Sequence, residues 1–469
     1  MKKLLCVSLA LALMCGVAHA VALDGGAIAS PETPQNVGAS DNSSAKDIPE
    51  IQEGLKALQA NDIKGALEKF EEARKSHPEF SPAELMLAKL ALQLNAQSNG
   101  AAARTLIEQC ILKNPTDPEA FLFLGDYNLG NGSVTEADLL FQRAGAMLQS
   151  FKGNEQRRTA MVRQYNGGMA LVLERRGQFD QAVSYMQRFL TDDPQNAAAM
   201  QQLARIYLNM DKPDEAIKML TQAKAINKDI LTPQAIVALY YQQKNDKSMA
   251  TKYMVDALNQ APKDLNTRLA AAQWAQQINS YEQAIQQVDS ALRLDPTSEA
   301  AMLLRGNFAL IKKDYSKAIE MYNKVLAKSP SNFAASNNIA LALCEPFVTG
   351  KTAKTAAAQK DDLQRALEYA TINAQRFQRQ PETFSTLGYI LFKNGNIDDS
   401  IRALQQSLQL SNGRMSPDTA YYLCAALNAK NAPEGVKQAK EIISKTLDAA
   451  PTFAMRPEAV ALKAELDKK

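Results

Sequence analysis

Residues 121–144 read FLFLGDYNLGNGSVTEADLLFQRA, and residues 384–407 read FSTLGYILFKNGNIDDSIRALQQS. In each, a glycine (Gly125, Gly388) stands twelve residues before a small residue (Ala137, Ser400). A Gly- and Asn-rich turn lies between them, and an apolar residue (Phe141, Leu404) follows four positions later. Apolar residues recur at helical spacing on both sides of the turn, which predicts two helices joined by a short connection. The phrase repeats along the chain. Its small residue falls at Ala66, Ala103, Ala137, Ala182, Ala216, Ala250, Ala284, Ala318, Ala366, Ser400 and Ala439. Six of these ten steps are 34 residues, and the others (37, 39, 45 and 48) are longer, as insertions at loops would make them.

Two further markers keep the same register. A Gly or Ala stands twelve residues before the small position, from Gly54 and Ala91 through Ala170, Ala204, Ala238 and Ala272 to Gly306. A proline stands twelve residues after it at Pro78, Pro115, Pro194, Pro262, Pro296, Pro330 and Pro451. Small residues let two helices approach, and proline ends the second helix because it has no N–H to continue the ladder. A single hairpin cannot bury its apolar stripe, so neighbouring hairpins must stack. Units of about 40–47 residues, as in HEAT or armadillo repeats, fit the period worse, and heptads free of proline are absent.

These markers resemble the tetratricopeptide repeat (TPR) family, whose unit is a 34-residue helix–turn–helix with a W-x2-L-G-x2-Y, A-x3-F-x2-A and P pattern. The resemblance covers about residues 48–450, some eleven repeats, and departs from the family at the first large position, where no repeat has Trp. Trp274 lies elsewhere in its unit. The resemblance implies an all-α solenoid, a right-handed superhelix. The segment 457–468, PEAVALKAELDK, is expected to close it as a capping helix within 451–469.

Residues 1–20, MKKLLCVSLALALMCGVAHA, have two lysines, an apolar run and an Ala18-His19-Ala20 cleavage box. They predict a cleaved export signal, with Val21 as the mature N-terminus and residues 21–48 as a flexible leader to a solenoid at 49–450. Lipidation at Cys15 fits poorly, because Met14 precedes the cysteine. No other long apolar run is present, so no membrane span is expected after cleavage. The expected location is the periplasm, or the cell surface or exterior.

The chain of 469 residues carries 53 basic and 50 acidic side chains, a formal +3 that argues against nucleic acid as partner. Of two histidines, only His77 would survive export, which argues against multi-His metal sites, metallopeptidases and a Ser–His–Asp triad. No metal and no cofactor is expected. The phrase TGKTAKT (349–355) is not a phosphate loop, since Glu345 stands where the first glycine is required. Cys110, Cys344 and Cys424 occupy widely separated repeats and read as buried free thiols. The acidic pairs Asp192-Asp193, Asp361-Asp362 and Asp398-Asp399 fall at helix ends. Two insertions, near 146–159 and 345–360, read either as functional loops or as tolerated surface length.

In the TPR family the first helix of each unit, helix A, lines the concave face, and the resemblance implies ligand contact there. Helical spacing then turns inward Gln201, Arg205, Leu208, Asn209, Gln242, Gln243, Gln273, Gln276, Gln277, Asn307, Asn337 and Asn338. Of these, Gln201, Arg205, Asn209, Gln242, Gln273, Gln276, Asn307 and Asn338 are the candidate peptide-binding residues. Amides both donate to and accept from a peptide backbone. A solvated face also needs polar residues, so this pattern alone does not separate the two readings. On either, these side chains are expected to be exposed and to matter little for stability. Asn307 and Asn338 match the two Asn positions of the family's carboxylate clamp, but Leu303, Glu382 and Thr386 stand where its cations are needed.

Three functions follow from this reading. One is a non-catalytic protein- or peptide-binding scaffold of the bacterial cell envelope. Another is an accessory subunit of an exopolysaccharide or protein secretion or assembly system. The third is a hydrolase with an atypical active site, for which no motif is present.

Overall fold

The computed structural model describes residues 48–60, 62–345, 348–349, 352–353, 356–451 and 453–469. The export signal and all but the last residue of the leader therefore lie outside the described residues. The chain divides at Ala261/Pro262 into two units. In the first, helical hairpins are formed by α1 (Pro49–Gln59) with α2 (Ile63–Ser76), by α3 (Ala83–Lys113) alone, by α4 (Pro118–Gly130) with α5 (Val134–Ser150), and by α6 (Glu155–Arg175) with α7 (Phe179–Asp192). The pairs α8 (Ala197–Asn209) with α9 (Pro213–Ile226) and α10 (Pro233–Gln243) with α11 (Lys247–Gln260) complete it. The second unit pairs α12 (Leu265–Gln277) with α13 (Tyr281–Leu294), α14 (Glu299–Ile311) with α15 (Tyr315–Lys328), and α16 (Phe333–Cys344) with α17 (Ala356–Arg376). It goes on to α18 (Pro381–Lys393) with α19 (Ile397–Leu410), α20 (Pro417–Lys430) with α21 (Pro433–Ala449), and α22 (Arg456–Leu466). Within each unit the architecture is the expected all-α stack of hairpins.

The repeat markers explain the boundaries. Helix-A starts are capped by side chains that accept a backbone N–H three residues on, as Asn196 does from Ala199, Ser298 from Ala301 and Asn332 from Ala335. Two residues before helix B the backbone turns left-handed at Gly132, Gly177, Asp211, Asn245, Asn279, Lys313 and Gly395. All but Lys313 are residue types that visit this region at low cost. At the far end, the residue before each proline is pushed out of the helical region, with ψ of 77° at His77, 75° at Asp193, 94° at Asp295 and 81° at Ser329.

Each helix A packs on its own helix B through the small residue, and the facing side chain is matched to it in size. Gly54, Gly125 and Gly306 face Phe70, Phe141 and Tyr322, three fully buried rings. Where helix A has Ala instead, as at Ala170, Ala204, Ala238 and Ala272, the residue sixteen on is aliphatic and buried: Met186, Leu220, Met254 and Val288. A Cβ on Gly306 would lie 2.6 Å from Tyr322 Cε1. That ring cannot swing aside freely, because its hydroxyl donates to Asn307 Oδ1 at 2.8 Å.

The 31 helical residues of α3 run through the place where the repeat spacing predicts a turn, between Ala91 and Ala103. Straight, it would be about 45 Å long. Yet Lys113 Nζ meets Glu84 Oε1 at 2.5 Å, so its two ends lie side by side and the segment doubles back like the other hairpins.

The two insertions differ from each other. The extra residues near 146–159 form no long loop. α5 has 17 residues and α6 has 21, against 14 in α9 and 13 in α8, which accounts for all of them. The added first turn of α6 carries Arg157, only 8% exposed, whose guanidinium donates to Glu119 Oε2 (2.8 Å) and to both oxygens of Asp117 (2.8 and 2.6 Å). Lys89 holds the other Glu119 oxygen at 2.8 Å. Burial alone would raise the Glu119 carboxyl, but the charges of Lys89 and Arg157 and the bonds from Lys89 and Ser81 hold it at about 2. This insertion therefore pins α6 to the start of α4. The insertion near 345–360 holds a small antiparallel pair, β1 (Val348–Thr349) with β2 (Thr352–Ala353), the one strand pairing among the described residues.

At the C-terminus α22 packs on α20 and α21, burying Ala459, Leu462 and Leu466 while Lys463, Glu465 and Asp467 stay outward.

Two outcomes are expected. Gly306→Ala should lower the thermal midpoint of the chain, at a net cost of about 1–2 kcal/mol. Helix propensity alone would instead stabilise it by roughly 1 kcal/mol, so a raised midpoint refutes the close contact. Arg157→Met should cost about 3–5 kcal/mol in urea unfolding followed by circular dichroism, because it leaves the buried Asp117 carboxylate without a cation and Glu119 with Lys89 alone. A loss below about 0.5 kcal/mol, the level of an exposed site, would mark the network as dispensable.

Candidate functional site

The candidate amides occupy helix A as expected, but the structure gives them different surroundings. In the first unit Arg205 forms a two-pronged pair with Glu174 (2.8 and 2.6 Å), and Asn209 Nδ2 donates to the same carboxylate at 3.0 Å. Tyr240 donates to Asn209 Oδ1 at 2.9 Å. Gln201 and Gln242 are half-buried beside them in sequence, and Gln242 Oε1 has no partner. Arg205 and Asn209 are thus already committed to Glu174, a residue whose place in the site the repeat spacing did not show.

In the second unit Gln273 is half-buried, and Gln276, Asn307 and Asn338 are buried rather than exposed. Asn338 Nδ2 donates to Asn307 Oδ1 at 3.0 Å, the oxygen that also accepts from Tyr322. The expectation that these side chains are solvated and neutral for stability is corrected. Asn307 and Asn338 tie neighbouring helices α14 and α16 together and anchor the ring beneath Gly306. The clue in the sequence is that Tyr322 stands where other repeats have hydrocarbon, so its hydroxyl needs a buried partner.

A pocket lies further along the A helices of the second unit. Its volume is about 230 Å³, and it is lined by Leu310 and Ile311 of α14, Asn337, Leu341 and Glu345 of α16 and its end, Ser385, Thr386 and Tyr389 of α18, and Asp418 and Tyr422 of α20. Met415, Met455, Tyr315, Glu382, Lys313 and Arg414 also line it. Tyr389 and Tyr422 stack with centroids 4.0 Å apart. Tyr389 donates a short hydrogen bond to Glu345, which Lys393 meets at 3.2 Å. Asn337 Oδ1 is buried and lacks a partner. Asp418 accepts from the Met455 N–H at 2.8 Å. Burial raises its carboxyl to about 6 against that hydrogen bond, and the charge of Glu458 adds to the rise. Burial and the charge of Glu345 likewise push the Tyr315 hydroxyl up to about 12.

Residues 173–236 match a family model described as tetratricopeptide repeat, and residues 269–342 match a second of the same description. Both matched stretches are tetratricopeptide repeats. No curated protein matches the sequence. Among solved structures, PilW, titled a widely conserved type IV pilus biogenesis factor, is 16% identical, covering 46% of this chain and 92% of its own with a TM-score of 0.38. TTC0263, a thermophilic TPR protein of Thermus thermophilus, is 17% identical over 44% of this chain and 100% of its own (TM-score 0.36). Yeast Tom70 is 13% identical over 90% of this chain and 96% of its own (TM-score 0.36). Likeness at this level bears on neither activity nor partner.

Cys110, Cys344 and Cys424 are free and buried, and burial pushes the Cys110 and Cys424 thiols up to about 12, far from a reactive thiolate. Among the described residues no cluster of ligand-type side chains could hold a metal ion, and no helix is long and apolar enough to cross a membrane.

The raised Asp418 carboxyl sets a pH dependence. The protonated form is favoured in the fold, so its contribution is fully present below about 3.8 and is lost as pH rises through about 6. Asp418→Asn should therefore stabilise the protein at pH 7.5 by roughly 1–3 kcal/mol, and leave it unchanged at pH 3.5. Equal effects at both pH values in thermal unfolding would refute this.

Proposed function

We propose that this TPR protein is a non-catalytic scaffold, exported to the bacterial cell envelope, that holds an extended segment of a protein partner on its helix-A face. The observation that carries the reading is the pocket between α14, α16, α18 and α20, where successive A helices leave a tyrosine-walled opening with an unpartnered buried amide oxygen. Folded cores satisfy such oxygens, and a bound chain would satisfy this one. The export pattern of residues 1–20 supports the envelope as its location.

The test has two parts in cells of the source organism. N-terminal sequencing of the mature protein should begin at Val21 in a periplasmic or surface fraction. A photo-crosslinking residue at Leu341 should trap a discrete protein partner, while one at Val255, exposed on helix B, should not. Cytoplasmic, uncleaved protein overturns the location. Equal trapping from both positions, or from neither, overturns the helix-A face as the binding surface.

A further inference from the structure

We infer that the pocket of residues 310–455 is a receptor for one basic side chain, lysine or arginine, carried by that extended segment. The inference rests on the peptide-binding reading above and specifies what the pocket selects. At about 230 Å³ the pocket is larger than the roughly 150 Å³ cavity that accepts benzene, so a whole side chain enters it. Its walls suit an apolar stem: Leu310 and Leu341, with Met415 and Met455 as deformable filling. Tyr315, Tyr389 and Tyr422 add aromatic rings, whose faces attract cations.

The polar groups at the pocket are mainly acceptors. Asn337, 6% exposed, has an Oδ1 without a partner. Asp418, Glu345 and Glu382 line the pocket; Glu345 already holds Tyr389 and Lys393, whereas Glu382 has no ion-pair partner among the described residues. The lining cations do not offset them evenly. Lys313 is taken by Glu458 at 3.0 Å, and Arg414 is exposed to solvent. The rise in the Asp418 carboxyl and in the Tyr422 hydroxyl reports the same environment, burial first and neighbouring negative charge second. A purely apolar occupant would leave Asn337 Oδ1 without a donor and the charge of Asp418, which only the Met455 N–H meets, without a counter-ion, at a cost a basic head removes. An acidic occupant would meet the carboxylates of Asp418 and Glu382, which have no cation. A lysine or arginine fills the apolar volume with its stem and brings several N–H donors to the acceptors.

The test uses the full mature chain and blocked pentapeptides Ac-Ala-Ala-X-Ala-Ala-NH2, with X as Arg, Lys, norleucine, Phe or Glu, measured by calorimetry at pH 7.5. The Arg and Lys peptides should bind about tenfold tighter than norleucine, and the Glu peptide should not bind. In the double variant Glu382→Gln with Asp418→Asn, the Arg advantage over norleucine should shrink to less than about threefold. Norleucine or Phe binding as tightly as Arg overturns the inference and leaves the scaffold reading standing. So does an Arg preference untouched by the double variant, and so does failure of every peptide to bind. Conversely, an Arg preference with no partner trapped through Leu341 supports the pocket chemistry and sinks the scaffold reading.

Discussion

The contact between one small residue on helix A and one side chain on helix B sets how closely the two helices pack in most of the hairpins, and much of the structure follows from it. Where the B-helix residue is a full ring, helix A has glycine: Gly54 with Phe70, Gly125 with Phe141, Gly306 with Tyr322. Where it is aliphatic, helix A mostly tolerates alanine. The axes can then stay at one close distance while the chemistry of the contact varies. Constant spacing lets hairpins stack face to face and lines up successive A helices. Those helices leave the tyrosine-walled pocket between α14 and α20.

Polar pins reinforce the stack where hydrocarbon alone does not. Tyr322, Asn307 and Asn338 form a chain of two buried hydrogen bonds from α15 through α14 to α16. Glu174, Arg205, Asn209 and Tyr240 form a part-buried network of four hydrogen bonds from α6 through α8 to α10. Arg157 pins α6 onto Asp117 and Glu119. Each pin crosses only to a neighbouring hairpin, as expected of a solenoid whose units touch only their neighbours. The polar residues of the helix-A face do not all join repeats in this way, and the buried Asn337 Oδ1 has no partner among the described residues.

The fold was legible because its signals are local. The small residues, the prolines and the turn asparagines and glycines act within a single hairpin, so a period of 34 residues locates each of them. The site was less legible, because its residues come together across repeats. Spacing places Asn307 and Asn338 on the inner face, but not the fact that they bond each other beneath that face. Arg205 reads as a groove cation until Glu174, 31 residues earlier, is seen to hold it. Tyr389, Asp418 and Met455 converge from α18, α20 and the segment before α22, a convergence that sequence period does not encode. The insertion near 146–159 reads as a loop because period counts only its extra length. The structure spends that length on helix.

The size match between helix A and helix B is tested most directly by a double-mutant cycle on Gly306→Ala and Tyr322→Met, which rebuilds in one repeat the Ala170 and Met186 combination of another. If the ring is what excludes the methyl group, the double variant should be more stable than the sum of the two single losses by about 1 kcal/mol or more in urea unfolding. Losses that add within about 0.5 kcal/mol would show that the two side chains do not share a contact, and would contradict the account.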